Sequence, residues 1–263
     1  MTTRFVLGRS IRVERQPTTE DLATDGQVRI ALHVANRVQG THVARPWCFE
    51  VEDDRVEVWL ESDRAWPGTM PPSREVRVNC GAAIFNLRTG LRASGRSSAT
   101  HLLPNRRRPG HLATVWLKGA RPPAFADQAL YRAIAHWRPH PHPFDRRPVA
   151  PNIAGALIRA ARAEGLDLIQ SHDSTMDGRD ARAPLVAEIV SRGDTALDQL
   201  HAGQAMQRVL LAATASGVSA SYSIPEEAVR KHRTTRGRRD GDTYSQVIIR
   251  FGYGLAAVSK TAF

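Results

Sequence analysis

The chain has 263 residues, a mass of 29.0 kDa, 41% hydrophobic residues and a formal net charge of +11. That length and apolar content support a sizeable core and exclude a disordered chain. Two cysteines, Cys48 and Cys80, and no CxxC pair exclude a disulfide framework and a zinc ribbon.

The charge does not by itself name a partner. Only Lys118, Lys231 and Lys260 among the 37 basic residues are lysine, and arginine appears wherever a cation is wanted. Two basic runs stand out: Arg106-Arg107-Arg108, and Arg230-Lys231-His232-Arg233 through Arg236, Arg238 and Arg239. Neither interleaves aromatics for base stacking, and neither sits in a zinc-finger or RNP pattern. Both read as solvated loops, which argues against a nucleic-acid module. Met1–Arg15 mixes arginines among apolar residues and lacks the continuous apolar stretch of a signal peptide. No run reaches the roughly 18 apolar residues of a membrane span. The expectation is a soluble, cytoplasmic protein.

After a polar arm (1–26), Val28, Ala31, Leu32, Ala35 and Val38 recur at helical spacing over 27–38. Residues 47–51 and 55–60 read as a hairpin across Glu52-Asp53-Asp54. Val76, Cys80, Ile84, Leu87 and Leu91 give a long buried helix closing near Gly95, and strands follow at about 99–103 and 112–117. Beyond Pro122-Pro123, 127–136 reads as a helix, and alternate prolines hold Trp137–Phe144 extended. Asn152 is the expected N-cap of a helix over 153–164 ending at Gly165. A short strand at 166–169, an exposed polar loop at 171–183 and a strand at 184–191 come next. Then follow a helix at 197–216 stopped by Gly217, a strand at 218–222, a short helix at 226–232 and an alternating central strand at 244–251. The fold class is α+β: a mostly antiparallel sheet flanked by helices. The helix-strand order repeats, which predicts pseudo-twofold halves at 27–120 and 121–263 within one compact domain.

Several segments, taken in order, resemble the nitroreductase-like flavoprotein superfamily, in particular its tandem-fused actinobacterial branch of dormancy-associated flavin-sequestering homologues. Thr41-His42-Val43-Ala44-Arg45-Pro46-Trp47 is similar to that branch's A-P-S-V-H-N-x-Q-P-W. Asn79 to Arg88 resembles its x-C-G-A-A-L-x-N-L-R helix, and Ala202 to Gly217 its G-x-A-L-Q-R-V-L-L-x-A-x-x-x-G helix. His136 to Pro148 falls where the branch carries R-R-T-N-R-R-P-F, and Ile249 to Gly254 matches its closing strand.

The resemblance implies FMN with NAD(P)H as reductant, and a small electron-poor substrate or a specialised-metabolite intermediate. It places Arg138, His140, Gly40, His42, Arg45 and Lys260 as cofactor contacts, because guanidinium forks suit a flavin phosphate. The departures fall on the same positions. Of the arginine-rich segment only Arg138 remains, with Trp137, Pro141 and His142 at other arginine positions. Each charged phosphate hydrogen bond lost costs about 1.5–3 kcal/mol. Gln39, Gly40, Val43 and Arg45 replace Pro, Ser, Asn and Gln. The helical segment that covers the flavin is reduced to the 171–183 loop, which predicts an open flavin face or a cleft completed by a homodimer or partner subunit.

His42, His140 and His142 are the candidate catalytic residues. His42 reads more readily as a structural hydrogen-bonder, and His136, His140 and His142 as members of a proline-braced loop rather than metal ligands; no metal is expected. Cys80, on an apolar helix face, reads as an inert thiol. No G-x-S-x-G elbow, P-loop, H-E-x-x-H or dinucleotide fingerprint is present. Two readings follow: an FMN-dependent oxidoreductase, or a flavin-free relative acting as a binding subunit or as a cofactor-independent enzyme.

Overall fold

A computed structural model describes residues 2–5, 19–38, 45–61, 72–171, 185–227, 229–235 and 238–254, with side chains placed outside 2–5, 19–24 and 229–241. The helices are α1 (Thr19–Ala35), α2 (Arg74–Ala93), α3 (Phe125–His136), α4 (Pro151–Arg162) and α5 (Ala196–Ala215). The strands are β1 (Thr2–Phe5), β2 (Trp47–Glu52), β3 (Arg55–Leu60), β4 (Arg96–Leu102), β5 (His111–Ala120), β6 (Asp167–Gln170), β7 (Leu185–Ser191), β8 (Ser219–Ser223), β9 (Val229–Thr235) and β10 (Arg238–Gly252). All described strand pairings are antiparallel. The α+β class is therefore as expected, with the strands divided between two sheets.

The first sheet runs β1-β2-β3-β5-β4 and the second β6-β7-β10-β8, with β9 added on β10. Setting β1 and β9 aside, each sheet has its strands in the order first, second, fourth, third. In each, a helix of 20 residues (α2 or α5) joins the second strand to the third.

Capping fixes these two helices. Ser73 Oγ accepts from Val76 N at 3.3 Å, and Glu75 lies in the first turn of α2. At α5, Thr195 Oγ1 accepts from Asp198 N, and Asp198 Oδ2 accepts from Thr195 N at 2.8 Å, a reciprocal box. Gly95 and Gly217 end the two units with φ of +83° and +70°, where a side chain would be strained.

The helices α2 and α5 cross at their glycines. Gly81 and Gly203 are each the eighth residue of their helix. A Cβ on Gly203 would collide with Val78 O, and one on Gly81 with Leu200 O. The backbones therefore touch, and the crossing lies between two cores. Val78, Ala82 and Phe85 of α2 join α5 residues Met206, Val209 and Leu210 against the second sheet. Cys80, Ile84, Leu87 and Leu91 pack on α1 and the first sheet. Each fully buried large aliphatic contributes about 1.5–3 kcal/mol.

Polar side chains tie the two cores together. Glu164, just after α4, accepts from Arg88 Nη1 (2.8 Å) and Arg208 Nη1 (2.9 Å). Asn86 Nδ2 donates to Val34 O, and Gln207 Nε2 to Asn86 Oδ1 at 3.0 Å. Arg74, 7% exposed, donates to Gln246 Oε1 and to Asp194 Oδ2, both at 2.5 Å.

Three local expectations are corrected. The helix expected from 27 begins at Thr19, and the polar arm also supplies β1, whose Phe5 pairs in register with Phe49. The fourth helix starts at Pro151 with Ala150 as its cap, so Asn152 lies inside it; proline's fixed φ suits a first helical position. The helix expected at 226–232 is strand β9, because β10 runs past β8 and offers an unpaired edge that outweighs local propensity. The 171–183 loop, beyond Ser171, lies outside the described residues.

Candidate functional site

The segment from Trp137 to Pro148 leaves α3 and lies against the end of the second sheet. Its prolines keep it out of helix, and its backbone donors go to strands: His140 N to Ala220 O (2.9 Å) and Asp145 N to Tyr253 O (2.7 Å). Phe144 bridges to Gly254, and a Cβ on Gly252 would sit 2.7 Å from Phe144 Cβ. The phenyl ring therefore occupies the space that a side chain at 252 would take. Arg147 stacks its guanidinium 3.4 Å over the Tyr253 ring, a cation–π contact at the rim.

The histidines of this segment are brought together with Phe144. His140 lies 4.8 Å from the Phe144 ring and 5.9 Å, edge-on, from His142, which is exposed. His140 Nε2 is buried with no hydrogen-bond partner among the described residues, and so is Nε1 of the buried Trp137. His136 is exposed at the end of α3. Among the described residues, no group of three or more His, Cys, Asp or Glu could hold a metal ion.

Arg138 is exposed, and its Nη1 donates to Ala135 O (3.2 Å) and Trp137 O (2.6 Å). Those carbonyls belong to the end of its own helix, which favours a cation. Its guanidinium thus caps α3 instead of extending toward a ligand. Arg45 is exposed just ahead of Trp47, whose Nε1 donates to Asn36 Oδ1 at 3.1 Å. Gly40, His42 and Lys260 lie outside the described residues. Of the candidate cofactor contacts among the described residues, His140 carries a buried polar atom without a partner, and the Arg138 guanidinium is turned to its own helix end.

Two polar clusters went unread in the sequence. On the first sheet, on the face opposite core residues Val56 and Val58, Glu57 accepts from Thr114 Oγ1 (2.7 Å) and Arg55 Nε (2.7 Å) and pairs with His111 Nε2 (2.6 Å). His111 stacks on Trp59 at 4.0 Å. Burial raises the Glu57 pKa, but the hydrogen bonds from Thr114, His111 and Arg55 more than offset it and hold the carboxyl below its usual range. A carboxylate so surrounded by donors is a structural anion, not a poised acid. Strand alternation around Glu57 was the available signal, but its partners come from β5 across the register.

The second cluster joins Arg74 to Asp194 and Gln246. Gln246 Nε2 reaches Ser191 Oγ at 2.8 Å and Asp194 Oδ1 at 3.2 Å, and Gln199 Nε2 also reaches Asp194. It clamps the start of α2 to the β7–α5 turn. Cys80 is fully buried, and burial pushes its thiol far up, so it is inert.

No protein-family model matches the chain. It is 31% identical over 138 residues to a Mycobacterium tuberculosis protein described as the NAD(P)H nitroreductase Rv3131, covering 51% of this chain and 39% of that one. It is 29% identical over 96 residues to another from that organism, the NAD(P)H nitroreductase acg, covering 36% of this chain and 29% of the relative. The matched regions thus span well under half the length of these curated relatives. Among solved structures, a nitroreductase with bound FMN from Bacteroides fragilis aligns at TM-score 0.35 and 11% identity over 51% of this chain and 94% of that one. NfrA2 of B. megaterium aligns at 0.36 and 12% over 51% and 70%. The α+β architecture rests on this chain's own strand pairing, and the two mycobacterial similarities support a nitroreductase-like relationship.

Proposed function

We propose that the chain is an oxidoreductase of nitroreductase type, acting on a small electron-poor molecule or a specialised-metabolite intermediate. The observation that carries this reading is the 31% identity over 138 residues to Rv3131. FMN, reduced by NAD(P)H, would supply the hydride chemistry when bound. Its contacts would come from Arg138, His140, Gly40, His42, Arg45 and Lys260. Of these contacts, among the described residues, His140 offers Nε2, a buried atom with an unmet hydrogen bond. We also place the junction of two duplicated halves near Pro122-Pro123, in line with the shared strand order, and place the whole in the cytoplasm. A second copy or a partner chain would complete the open cleft.

Two observations favour the second reading, a flavin-free relative serving as a binding subunit or a cofactor-independent enzyme. Arg138 is committed to its own helix end, and Phe144 fills the space over Gly252. Purified protein separates the two. Absorbance near about 450 nm, or a saturable shift of that band on adding FMN, supports the oxidoreductase, because flavin carries its own chromophore. A colourless protein that leaves FMN fluorescence unchanged removes it. Turnover without flavin that His140→Ala abolishes would select the cofactor-independent form.

A further inference from the structure

We infer that the C-terminal half of α2 and the facing turns of α5 hold a phosphate dianion between Arg88, Arg92 and Arg208. Arg88 and Arg92 are four residues apart on α2 and so lie one turn apart on one face. Gln204 and Arg208 have the same spacing on α5. Glu164 divides its oxygens between the helices. Its Oε2 accepts from Arg88 Nη1 at 2.8 Å and its Oε1 from Arg208 Nη1 at 2.9 Å, which draws those two guanidiniums together. Arg88 Nη1 also donates to Gln204 Oε1 at 2.5 Å. Each of the two arginines is thus engaged through Nη1, and a guanidinium has further N–H donors to give.

Arg92 is half-buried and has no hydrogen-bond or ion-pair partner among the described residues. A cation in the last turn of a helix ordinarily meets the free carbonyls there. At the end of α2 these are taken. Gly90 O accepts from Ser94 N and Oγ, Arg92 O from Gly95 N, Ala93 O from Gln128 Nε2 and Ser94 O from Gln27 Nε2. The nearby carboxylates are engaged as well. Glu164 serves Arg88 and Arg208, while Asp127 accepts from Ala124 N at 3.3 Å and pairs with Arg121 at 3.5 Å. Four guanidiniums therefore stand against two carboxylates. Burial and the charge of Arg88 push the Arg92 pKa down, with Arg208 adding to them, and Asp127 and Glu164 offset this only in part. His201, a turn before Gln204, adds no charge at neutral pH, because burial lowers its pKa.

Surplus positive charge with unused forked donors is the chemistry of an anion site. Guanidinium forks match the terminal oxygens of a phosphate group, whereas a second carboxylate would only repeat what Glu164 already does. The side chains of Arg88 and Arg208 keep 17% and 24% of their surface in water. The site is therefore recessed and suits a small ligand better than a flat acidic surface. It is also separate from the candidate cofactor contacts. Asp127 beside it and Arg138 mark opposite ends of α3, roughly 15 Å apart at a helical rise. The inference does not rest on flavin binding.

The test is the thermal midpoint of the full chain in inorganic phosphate against chloride at equal ionic strength. At ten times its Kd, phosphate raises the parent's midpoint by about 4 °C. Arg92→Gln weakens phosphate about tenfold, so the rise at that concentration falls to about 1 °C. In chloride the variant's midpoint holds or rises, since a like charge beside Arg88 and Arg208 is gone. The general salting effect of phosphate is common to both chains and cancels. Arg92→Lys keeps a charge without the fork; its rise lies between the two, and it serves if Arg92→Gln fails to fold. Arg138→Gln keeps the full rise. Phenyl phosphate then separates the sources: tighter binding than inorganic phosphate assigns a phosphomonoester, equal or weaker binding the free ion. No rise in the parent, an equal rise in Arg92→Gln, or an equal rise with acetate overturns the proposal. So does loss of the rise in Arg138→Gln, or a lower chloride midpoint in Arg92→Gln, which would show that guanidinium bonded within the protein.

Discussion

The α2–α5 crossing and the Trp137–Pro148 segment are both places where glycine lets two parts of the chain approach closely, and they are built in opposite ways. At the crossing, each glycine faces a backbone carbonyl that belongs to a fixed helix. Neither side can give, so the residue types there are dictated by contact distance. At the segment, Gly252 faces the Phe144 ring and Gly254 faces His140. Those neighbours are side chains on an extended, largely exposed stretch that can shift outward. Packing fixes the first region, while the second can give.

Substituting alanine at these glycines measures the contrast directly. Gly203→Ala carries the largest expected effect. Alanine gains up to about 1 kcal/mol of helix propensity over glycine, yet its Cβ must displace Val78 O. Overpacking against fixed backbone exceeds the usual 1–3 kcal/mol. We expect a net loss of about 3 kcal/mol, seen as a thermal midpoint lower by roughly 10 °C for a chain of this size. Gly81→Ala behaves alike. An unchanged midpoint in either would mean that the two helices do not touch.

Glu164→Ala comes next. It leaves Arg88 and Arg208 facing each other without the shared carboxylate, whose side chain is 4% exposed. Breaking a buried pair costs about 3–5 kcal/mol. The guanidiniums keep 17% and 24% of their surface in water, so about 2–3 kcal/mol is expected in urea unfolding. A loss below about 0.5 kcal/mol would mark the triad as an ordinary surface pair.

How much of this was legible follows the same division. The spacing of Val76, Cys80, Ile84, Leu87 and Leu91 gave helix α2 and its inward face, because 3.6-residue periodicity is local. The hairpin at 47–60 and the terminator glycines were equally local. What escaped notice depends on partners far away in the chain. Strand β9 exists because β10 overruns β8, and a helix was the better local reading of Glu226–His232. Glu57 finds His111 and Thr114 only through strand register. The direction of Arg138 is set by the carbonyls at the end of α3, which a motif alignment does not contain.

Gly252→Ala tests the softer region. Its Cβ would press on Phe144 Cβ, Cγ and Cδ1 at 2.7–2.8 Å, and the segment must lift slightly. About 1–2 kcal/mol is expected, clearly below Gly203→Ala. A loss as large as that at the crossing would show the segment to be as rigid as the helix pair.

Asp194→Asn probes the clamp at the start of α2 through pH. Burial raises the Asp194 pKa, but hydrogen bonds from Arg74, Gln199 and Gln246 outweigh it, so the folded value lies below the ordinary 3.8. A carboxyl depressed on folding stabilises above its unfolded pKa, and that contribution fades as pH falls through the folded value. The gap in urea midpoint between Asp194→Asn and the parent is therefore full near neutrality and closes below about pH 3.8. With Asp194 30% exposed, about 1 kcal/mol at neutral pH is the expected size. A gap that stays constant down to pH 2 would remove the charge from the explanation.

Gly254→Ala has the smallest expected effect and the sharpest bearing on the candidate site. Its Cβ would meet His140 Cε1 at 3.1 Å, a contact relieved by a few tenths of an ångström of ring movement. Stability should change by less than about 0.5 kcal/mol. The same movement shifts His140 Nε2, the buried atom with no partner among the described residues. If that nitrogen binds a ligand, Gly254→Ala weakens FMN binding severalfold while leaving the thermal midpoint in place. Unchanged FMN affinity beside an unchanged midpoint would assign His140 to packing against Phe144 alone.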